Sequence, residues 1–439
     1  MHTIFALATP AGKSGVAVIR ISGKTAKQSL QALGVENLPP ARLATLVTLK
    51  HTEEALDKAL AICFDAPHSF TGEDVVELHC HGSRAILKKL LDIMATLPEF
   101  RMAEPGEFTR RAFLNGKMDL TAAEGLADLI DADTEAQRKQ ALRIMQGDAS
   151  GFFNGLRHNI LHTLALLEAY IDFPDEDIPD HVLSEIDEEI TASIRQIKNQ
   201  LNDGNSSEKI REGTYITILG APNVGKSSLM NLLAKRDVAI VSEIAGTTRD
   251  VIEVHMDIKG YSVILADTAG IRDNADVIEQ EGIRRSFERA KTADIRILVL
   301  DAGAHEAQDM ASVVSENTII LLNKCDVTKP ETVTPVYGIM PILFSVHEQS
   351  GIEELLHAIE HRILASVPAE ASFITRNRHR ILLNAALEHL LRYTILKDHG
   401  LELKCEELRR AATEIGKITG AISVDEILGH IFSSFCIGK

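Results

Sequence analysis

Hydrophobic and polar residues follow different patterns along the chain. Over residues 1–116, short apolar runs are separated by loops that contain Gly and Pro, and residues 16–21 and 75–80 are predicted strands. From about residue 118, apolar positions recur every three or four residues, which predicts helices. Over residues 214–365, apolar β-branched runs alternate with helical stretches, and after residue 373 the helical period returns.

Both helical stretches have a continuous apolar face. In the first stretch this face consists of Leu156, Ile160, Leu164, Leu167 and Ile171. The acidic, proline-containing residues 172–180 are predicted to break that helix, residues 183–201 form a second helix, and the polar, glycine-containing residues 202–207 are predicted to be a linker. In the last stretch the apolar face consists of Leu408, Ala411, Ala412, Ile415 and Ile418.

The stretch with alternating periods predicts a parallel α/β domain, because apolar strands there are separated by helices. Its predicted strands are residues 215–219, 263–266, 295–300 and 318–322. The helical segments on either side are each short for a domain, so we expect one discontinuous all-α domain with the α/β unit inserted. The expected domains are residues 1–116 (α+β), 117–209 and 367–439 (the two helical parts), and 210–366 (α/β).

The composition narrows the class of protein. The 439 residues are 45% hydrophobic and 25% charged, a globular balance, and no apolar run approaches the roughly 18 residues that span a bilayer. The first residues lack a secretory-signal pattern, and five scattered cysteines do not form a disulfide framework. We therefore expect a cytoplasmic protein without a membrane partner.

The formal net charge of −17 disfavours non-specific nucleic-acid binding, because phosphate neutralisation supplies most of that affinity. If the protein acts on RNA, a basic partner or a local basic patch must hold much of it. One candidate patch consists of Arg376, Arg378, His379 and Arg380. The alternative interpretation is a solvated helix start, and the sequence favours it.

A phosphate-binding motif lies between a predicted strand and a predicted helix. Residues 220–227 read Gly-Ala-Pro-Asn-Val-Gly-Lys-Ser and match G-x-x-x-x-G-K-[ST]. Its glycines let backbone N–H groups approach phosphate oxygens at a helix N-terminus. Lys226 is predicted to reach the β and γ phosphates, and the Ser227 hydroxyl to bind Mg²⁺. The predicted nucleotide contacts in this segment are Asn223, Val224, Gly225, Lys226, Ser227 and Ser228.

Two more motifs close later strands. The first is Asp267, Thr268, Ala269 and Gly270, whose aspartate would face the metal and whose glycine N–H would meet the γ-phosphate. The second is Asn-Lys-Cys-Asp at residues 323–326. There Asp326 is predicted to accept hydrogen bonds from guanine N1 and N2, which adenine cannot supply, while Asn323 and Lys324 brace the loop and cover the base. Ser345 begins the last predicted base-contacting loop. Three motifs in this order predict GTP binding and hydrolysis.

Five features indicate which type of GTPase this is. Ile271 follows the second motif, where Ras-like enzymes carry a water-orienting glutamine, so either another group orients the water or the protein is an inactive enzyme or pure switch. Residues 246–250 read Gly-Thr-Thr-Arg-Asp, and the chain closes with Phe-Cys-Ile-Gly-Lys. Together with Asn223 and the N-terminal domain, these features resemble the MnmE (TrmE) family of tRNA-modification GTPases over essentially the whole chain. Ser-Val-His at Ser345, and Ser242 in place of Thr, depart from the family pattern.

The resemblance implies a potassium-dependent GTPase that is activated when two G domains dimerise. The implied K⁺ ligands are Asn223, the carbonyls of Ser242 and Ile244, and Thr247. The cation would supply the positive charge that an arginine finger supplies elsewhere. Thr248 would join Ser227 on Mg²⁺. Glu279 matches the family's water-orienting glutamate; without the resemblance it would be interpreted as a solvated helix charge.

The resemblance also implies that residues 1–116 form a dimerising domain that binds a tetrahydrofolate derivative, in its 5-formyl or 5,10-methylene form. The implied folate contacts are Arg20, Glu77, Lys117 and Lys439. A carboxylate can accept paired hydrogen bonds from a pterin edge, and cations suit the glutamate tail. Taken without the resemblance, these residues would be ordinary surface charges.

Two further features each leave alternatives. Cys436 is a candidate nucleophile if the nearby Lys439 lowers the pKa of its thiol. The alternative is that Cys436 is a small apolar residue packed under Ile437. His79 and His81 are two residues apart on a predicted strand, so their side chains share a face. This spacing makes a zinc site one interpretation. No second ligand cluster is visible in the sequence, so a structural strand end is favoured.

The activity implied by the resemblance is tRNA modification by a homodimer. The protein would act with a separate FAD-containing partner, in a heterotetramer or larger assembly, to add a carboxymethylaminomethyl or aminomethyl group to C5 of the wobble uridine of certain tRNAs. Folate would supply the one-carbon unit, and the partner would hold most of the tRNA. The alternatives are a regulatory or ribosome-assembly GTPase switch without modification chemistry, and a folate-dependent transferase that acts alone.

Overall fold

A computed structural model describes most of the chain. The described residues are 2–172, 181–235, 239–240, 253–267, 292–303, 311–330, 332–366, 372–396, 400–422, 425–433, 435–436 and 438. The chain forms two compact units. The first comprises Met1–Ala127, Met145–His162 and Arg409–Lys439, and the second comprises Asp128–Ile144 and Thr163–Leu408.

The first unit begins with a six-stranded sheet. Its strands β1 to β6 are Thr3–Leu7, Ser14–Ser22, Thr45–His51, Glu54–Phe64, Val75–Gly82 and Phe100–Met102. The strand order is β3-β4-β5-β2-β1-β6, and every neighbouring pair is antiparallel except β1 and β6. Helices α1 to α3 are Gln28–Ala32, Arg84–Ala95 and Glu107–Leu114.

One face of this sheet is buried because alternate strand residues are apolar. On β2, Ala17, Ile19 and Ile21 are at most 1% exposed, and they belong to the same core cluster as Leu87 and Leu90 of α2. Burying a side chain of this size contributes roughly 1.5–3 kcal/mol. The intervening residues of β2 lie on the opposite face, which is where the candidate folate residue Arg20 stands.

Helices follow the sheet along the chain. Helices α4 to α7 are Leu120–Ile130, Glu135–Met145, Asp148–Asp172 and His181–Glu212. The predicted apolar face of α6 is confirmed for Leu156, Ile160, Leu164 and Leu167, which are at most 7% exposed, whereas Ile171 is half-buried. The break predicted at residues 172–180 lies almost entirely outside the described residues.

The predicted linker at residues 202–207 is wrong, because α7 continues through it. Ser206 and Ser207 are 5% and 0% exposed. The Ser207 hydroxyl donates to the Ser372 carbonyl at 2.8 Å, and the Gln140 amide donates to the Ser207 carbonyl at 3.1 Å. Such buried contacts outweigh the roughly 1 kcal/mol that a glycine costs in a helix interior relative to alanine.

The α/β part of the second unit contains a seven-stranded sheet. Strands β7 to β13 are Thr214–Leu219, Ala239–Ile240, Glu253–Ile258, Tyr261–Asp267, Ile295–Asp301, Thr318–Asn323 and Ile342–Leu343. The order is β13-β12-β11-β7-β10-β9-β8. Helices α8 and α9 are Lys226–Ala234 and Ile352–Ser366, and Ala311–Val313 is a 3₁₀ turn. The four predicted strands are confirmed and run parallel, whereas β9, which was not among the predicted strands, is antiparallel to β10.

Helices α10 to α12 close the chain and are Asn377–Ile395, Leu401–Thr419 and Asp425–Ser433. The apolar face predicted for this region is confirmed on α11, where Leu408, Ala411, Ala412, Ile415 and Ile418 are at most 2% exposed. An N-terminal α+β part, helical segments on both sides of an α/β part, and the α/β part itself therefore match the predicted fold class. Within the described residues, no helix is both long and apolar enough to span a membrane.

Candidate functional site

The predicted nucleotide motifs lie at one edge of the seven-stranded sheet. Strands β7, β10, β11, β12 and β13 are parallel, so their carboxyl ends meet at that edge. Gly220 follows β7, Asp267 ends β10, Asn323 ends β12, and Ser345 comes two residues after β13. Open α/β sheets bind ligands at this edge.

The phosphate loop is shaped by two glycines with positive φ. Gly220 has φ +145°, and a Cβ there would lie 2.3 Å from the Val299 carbonyl oxygen. Gly225 has φ +104°, and a Cβ would lie 2.3 Å from Nδ2 of Asn323. Asn223, between them, has φ +61°, a conformation that asparagine tolerates better than most residues. The loop therefore requires the residue types that the motif specifies.

The phosphate loop carries one ammonium group, that of Lys226. Lys226 is the first residue of α8, and its Nζ donates to the carbonyl oxygens of Gly220 at 2.9 Å and Ala221 at 2.7 Å. Ser227 and Ser228 are exposed in the same first turn. Backbone N–H groups at a helix N-terminus and a lysine ammonium together attract phosphate oxygens.

Asn323 joins three loops of the site. Its side chain is 3% exposed. Nδ2 donates to the Val224 carbonyl of the phosphate loop at 2.7 Å, and Oδ1 accepts from the Val346 N–H at 3.2 Å. One buried amide thus fixes the phosphate loop relative to the two loops predicted to contact the base.

Asp326 presents an ionised carboxylate beside Ser345. The Ser345 hydroxyl, which is fully buried, donates to Oδ1 of Asp326 at 2.6 Å and accepts from the Glu348 N–H at 3.1 Å. The hydrogen bond from Ser345 holds the pKa of Asp326 below its ordinary value of 3.8. An exposed, oriented carboxylate can accept two hydrogen bonds from N1 and N2 of guanine.

Several predicted site residues lie outside the described residues. They are Ser242, Ile244, Thr247, Thr248, Thr268, Ala269, Gly270, Glu279 and Lys439. For Asp267 the backbone is described and the side chain is not. Their roles stay predictions.

The α/β fold and this site define the class of the protein as a P-loop GTPase. A family model described as "MnmE helical domain" matches residues 120–436, and one described as "GTP-binding protein TrmE N-terminus" matches residues 3–117. The chain belongs to the MnmE family.

Full-length relatives support this assignment. The chain is 47% identical over 448 residues to the tRNA modification GTPase MnmE of Rickettsia rickettsii (strain Sheila Smith), and the match covers 100% of both chains. It is also 47% identical over 443 residues to the MnmE of Paramagnetospirillum magneticum, again over 100% of both chains. The G domain of the T. maritima FeoB iron transporter matches at 24% identity over 35% of this chain and 99% of that one, with a TM-score of 0.26.

Two of the predicted folate residues are in contact in the first unit. Arg20 Nε donates to Oε1 of Glu77 at 2.9 Å, and the two residues face each other in the β2–β5 ladder. The Arg20 guanidinium lies 5.5 Å from the ring centre of Phe70 and 5.9 Å from that of Phe108. A charged pair flanked by aromatic rings can bind a flat, hydrogen-bonding heterocycle.

Lys117 and the C-terminal segment approach the same region. Lys117 Nζ donates to the Pro67 carbonyl at 2.8 Å, in the loop that carries Phe70. Gly438 packs on the end of β1, where a Cβ would lie 2.2 Å from the Leu7 carbonyl oxygen. Leu7 is next to Ala6, the ladder partner of Arg20. Arg20 and Glu77 are therefore in direct contact, while Lys117 reaches the loop of Phe70 and Gly438 reaches the end of β1.

A buried ionic network that sequence reasoning missed supports this loop. Glu73 accepts from the Ser22 hydroxyl at 2.7 Å and from Arg111 at 2.9 Å, and Arg111 also donates to Glu107 at 3.0 Å. Arg101 donates to Glu107 at 2.6 Å. The i,i+4 spacing of Glu107 and Arg111 on α3 is a sequence signal for one of these contacts, whereas the partners on other elements leave no local pattern.

Cys436 is exposed, so its interpretation as a packed residue is wrong. His79 and His81 do share a face: His79 Nε2 lies 3.4 Å from Oε2 of Glu77, and His81 Nδ1 lies 2.7 Å from Oδ1 of Asp57. Cys80 is buried on the other face, and burial raises the pKa of its thiol to about 11. In the part of the chain that the structure describes, no group of three or more His, Cys, Asp and Glu side chains could hold a metal ion.

Most residues of the candidate basic patch are paired or buried inside the protein. Arg376 pairs with Asp128 at 2.7 Å, Arg380 pairs with Glu208 at 2.8 Å, and His379 is 1% exposed. The internal pairing of Arg376 and Arg380 disagrees with the interpretation as a solvated helix start, and the interpretation as an RNA-binding patch stays a prediction. The two arginines connect the start of α10 with Asp128 and Glu208, all within the second unit.

Proposed function

We propose that this GTPase uses GTP hydrolysis to drive the modification of the wobble uridine of certain tRNAs at C5. The observation that carries the GTP part is the arrangement in which Asn323 ties the phosphate loop to Asp326 and its loop. The tRNA part is supported by full-length relatives named tRNA modification GTPases at 47% identity. The hydrolysis cycle would change protein conformation and would not itself perform the carbon chemistry.

Magnesium fits the residues at the start of α8. Ser227 is an exposed residue in the first turn, next to Lys226, and Mg²⁺ prefers oxygen ligands together with phosphate. Ser227 and Thr248 would hold Mg²⁺, and Asp267 would contribute its negative charge to the metal site. Bound Mg²⁺ would neutralise charge on the phosphates. Glu279 would orient the attacking water.

Potassium is proposed at Asn223, whose side chain is exposed on the strained turn of the phosphate loop. Ser242, Ile244 and Thr247 would complete the set of ligands. When bound, the cation would supply positive charge near the phosphates. Dimerisation of two G domains is the proposed trigger for hydrolysis.

A tetrahydrofolate derivative is proposed at Arg20 and Glu77, on the face of the six-stranded sheet opposite to its buried core. Glu77 would accept hydrogen bonds from the pterin, while Arg20, Lys117 and Lys439 would hold the carboxylates of the glutamate tail. Phe70, beside Arg20, offers an aromatic face. The bound group would supply a one-carbon unit, and these residues would bind and orient it.

The outer face of the six-stranded sheet supports the proposed homodimer. Leu46, Leu60, His79 and Val18 form one row across four strands. Leu46 is 69% and Leu60 42% exposed, and Val16, further along β2, is 58% exposed. An apolar patch that spans several strands is typical of an interaction surface. The folate residues Arg20 and Glu77 lie on this same face.

The proposed partner is a separate FAD-containing protein, in a heterotetramer or larger assembly, that holds most of the tRNA. The net charge of −17 and the internal pairing of Arg376 and Arg380 support this division of labour. The domain boundaries 1–116, 117–209, 210–366 and 367–439, and a cytoplasmic location, remain part of the proposal.

Analysis of wobble nucleosides in tRNA from a deletion strain tests the proposal. The wild-type chain should restore the C5-modified uridine. Glu279→Ala should keep GTP binding, lose most GTP turnover and fail to restore the nucleoside. Glu354→Ala, a change at an exposed glutamate on α9 of the same α/β part, is the control and should restore it. If tRNA from the deletion strain still carries the C5-modified uridine, a regulatory or ribosome-assembly switch becomes the better account.

A further inference from the structure

Asp301 belongs to no recognised motif, yet it stands at the nucleotide edge of the sheet. It is the last residue of β11 and lies opposite Asn323 in the β11–β12 ladder. The Ala302 N–H donates to the Asn323 carbonyl at 2.9 Å, so pairing continues one residue beyond Asp301. Its carboxylate is thereby placed next to the loop predicted to contact the base.

Both oxygens of this carboxylate have partners. Oδ2 accepts from Nζ of Lys324 at 2.7 Å, and Oδ1 accepts from the Gly303 N–H at 2.9 Å. Lys324 has φ +66°, which is uncommon for a residue with a long side chain, so its Cα–Cβ direction is set by the loop. The ion pair then fixes the other end of the same side chain.

We propose that Asp301 is a positioning residue for guanine binding. It holds the Lys324 ammonium to one side, so that the methylene stem of Lys324 lies ready to cover the flat face of the base. This inference rests on the proposed guanine site. A lysine stem packs on apolar surface only when its charged head has a polar partner elsewhere. A stem that is ordered in advance also loses less rotamer entropy when the nucleotide binds.

A purely structural role for Asp301, as a cap for the turn at Gly303, predicts something different. Asp301→Asn separates the two roles, because the amide oxygen still accepts from Gly303 while the negative charge facing Lys324 is lost. The chain offers a matched control in Asp257. Its Oδ1 accepts from the Gly260 N–H at 2.6 Å in the turn between β9 and β10 of the same sheet, and it makes no part of the nucleotide site.

The test uses the purified full chain with a fluorescent GDP and a fluorescent inosine diphosphate. Asp301→Asn should release both roughly threefold faster, the scale expected for a partly exposed ion pair. The two nucleotides should be affected alike, because a lysine stem does not touch the exocyclic amine. The KM for GTP should rise by a similar factor while kcat stays close to the wild-type value. Asp257→Asn should release both nucleotides at the wild-type rate.

A double-mutant cycle with Lys324→Met shows whether Asp301→Asn changes nucleotide release through Lys324. Methionine keeps an apolar stem and removes the ammonium, so Asp301→Asn should add no further change in that background. Asp301→Glu, which can rebuild the ion pair, should recover part of the loss. The proposal is overturned if Asp301→Asn leaves both release rates unchanged, or if the effect persists in Lys324→Met. If the wild-type chain itself holds GDP no more tightly than ADP, the guanine site fails instead.

Discussion

At the scale of single residues, the site depends on groups whose position is fixed by buried hydrogen bonds. Asn323 joins the phosphate loop to the 345–348 loop, and Ser345 orients Asp326. The motifs that hold these residues were predictable from sequence because each is a short run with a specific chemical task. Asp301 was not, because its contact with Lys324 arises only when β11 and β12 pair.

Replacing Asn323 should weaken both folding and nucleotide binding. Asn323→Ala leaves the Val224 carbonyl and the Val346 N–H without their partner in a buried place, which costs roughly 1–3 kcal/mol. Urea unfolding should show a loss of this size, and GDP should dissociate faster. Asn384→Ala is the matched control, since Asn384 is exposed and its Nδ2 donates to the Arg380 carbonyl of its own helix at 2.9 Å. It should change the unfolding free energy by about 0.5 kcal/mol or less.

At the scale of elements, periodicity predicted where the chain is strand and where it is helix. It failed at residues 202–207, where a glycine and several polar residues indicate a linker. Helix α7 continues there because Ser207 contacts Ser372, which is far away in sequence. A contact so distant in sequence leaves no local pattern. Strand β9 was also missed, although residues 253–258 alternate polar and apolar, a pattern typical of a half-buried strand.

Replacing each of two glycines by alanine should change the stability of the protein in opposite directions. Gly260 has φ +88° in the β9–β10 turn, so Gly260→Ala should destabilise the second unit by roughly 1–2 kcal/mol. Gly155 lies within α6, and a Cβ there meets nothing within 4 Å. Gly155→Ala should therefore stabilise by roughly 0.5–1 kcal/mol. Thermal midpoints should fall for the first variant and rise for the second; a rise for Gly260→Ala would contradict the described turn.

The ionic network beneath the β2–α3 region should make stability depend on pH. Burial tends to raise the pKa of Glu107, but hydrogen bonds from Arg101, the Glu104 N–H and Arg111 outweigh it, and the net pKa lies below the ordinary 4.5. A lowered pKa gives stability that is present above pH 4.5 and is lost as the pH falls through the folded-state value. Denaturant unfolding should show that the free energy of unfolding of the wild type falls below about pH 4.5. Glu107→Gln should remove the part of this pH dependence that Glu107 causes.

Glu135 is the control for this pH effect. Its pKa is lowered to about 2 by Arg138, but the pair lies in solvent. Exposed ion pairs contribute little to stability, so Glu135→Gln should leave the acid profile unchanged. Equal acid profiles for the wild type and Glu107→Gln would show that the buried network does not contribute as described.

At the scale of the whole molecule, both ends of the chain contribute to the same compact unit. Gly438 packs against Leu7, and Phe435 lies in a buried cluster with Leu120 and Phe432. The helical parts on either side of the α/β part were predictable because each alone is short for a domain. Which helices join which unit was not, since that depends on contacts between residues hundreds of positions apart.

The guanine site is the claim on which the GTPase cycle and the proposed modification both depend. The most direct measurement is the affinity of the purified chain for GTP, ATP and xanthosine triphosphate, before and after Asp326→Asn. The wild type should prefer GTP strongly, because only guanine offers two donors to the carboxylate. In Asp326→Asn the preference should move to the xanthine nucleotide, since an amide can accept from N1 and donate to the 2-oxo group. Equal binding of GTP and ATP by the wild type, or an unchanged preference in the variant, would contradict the account.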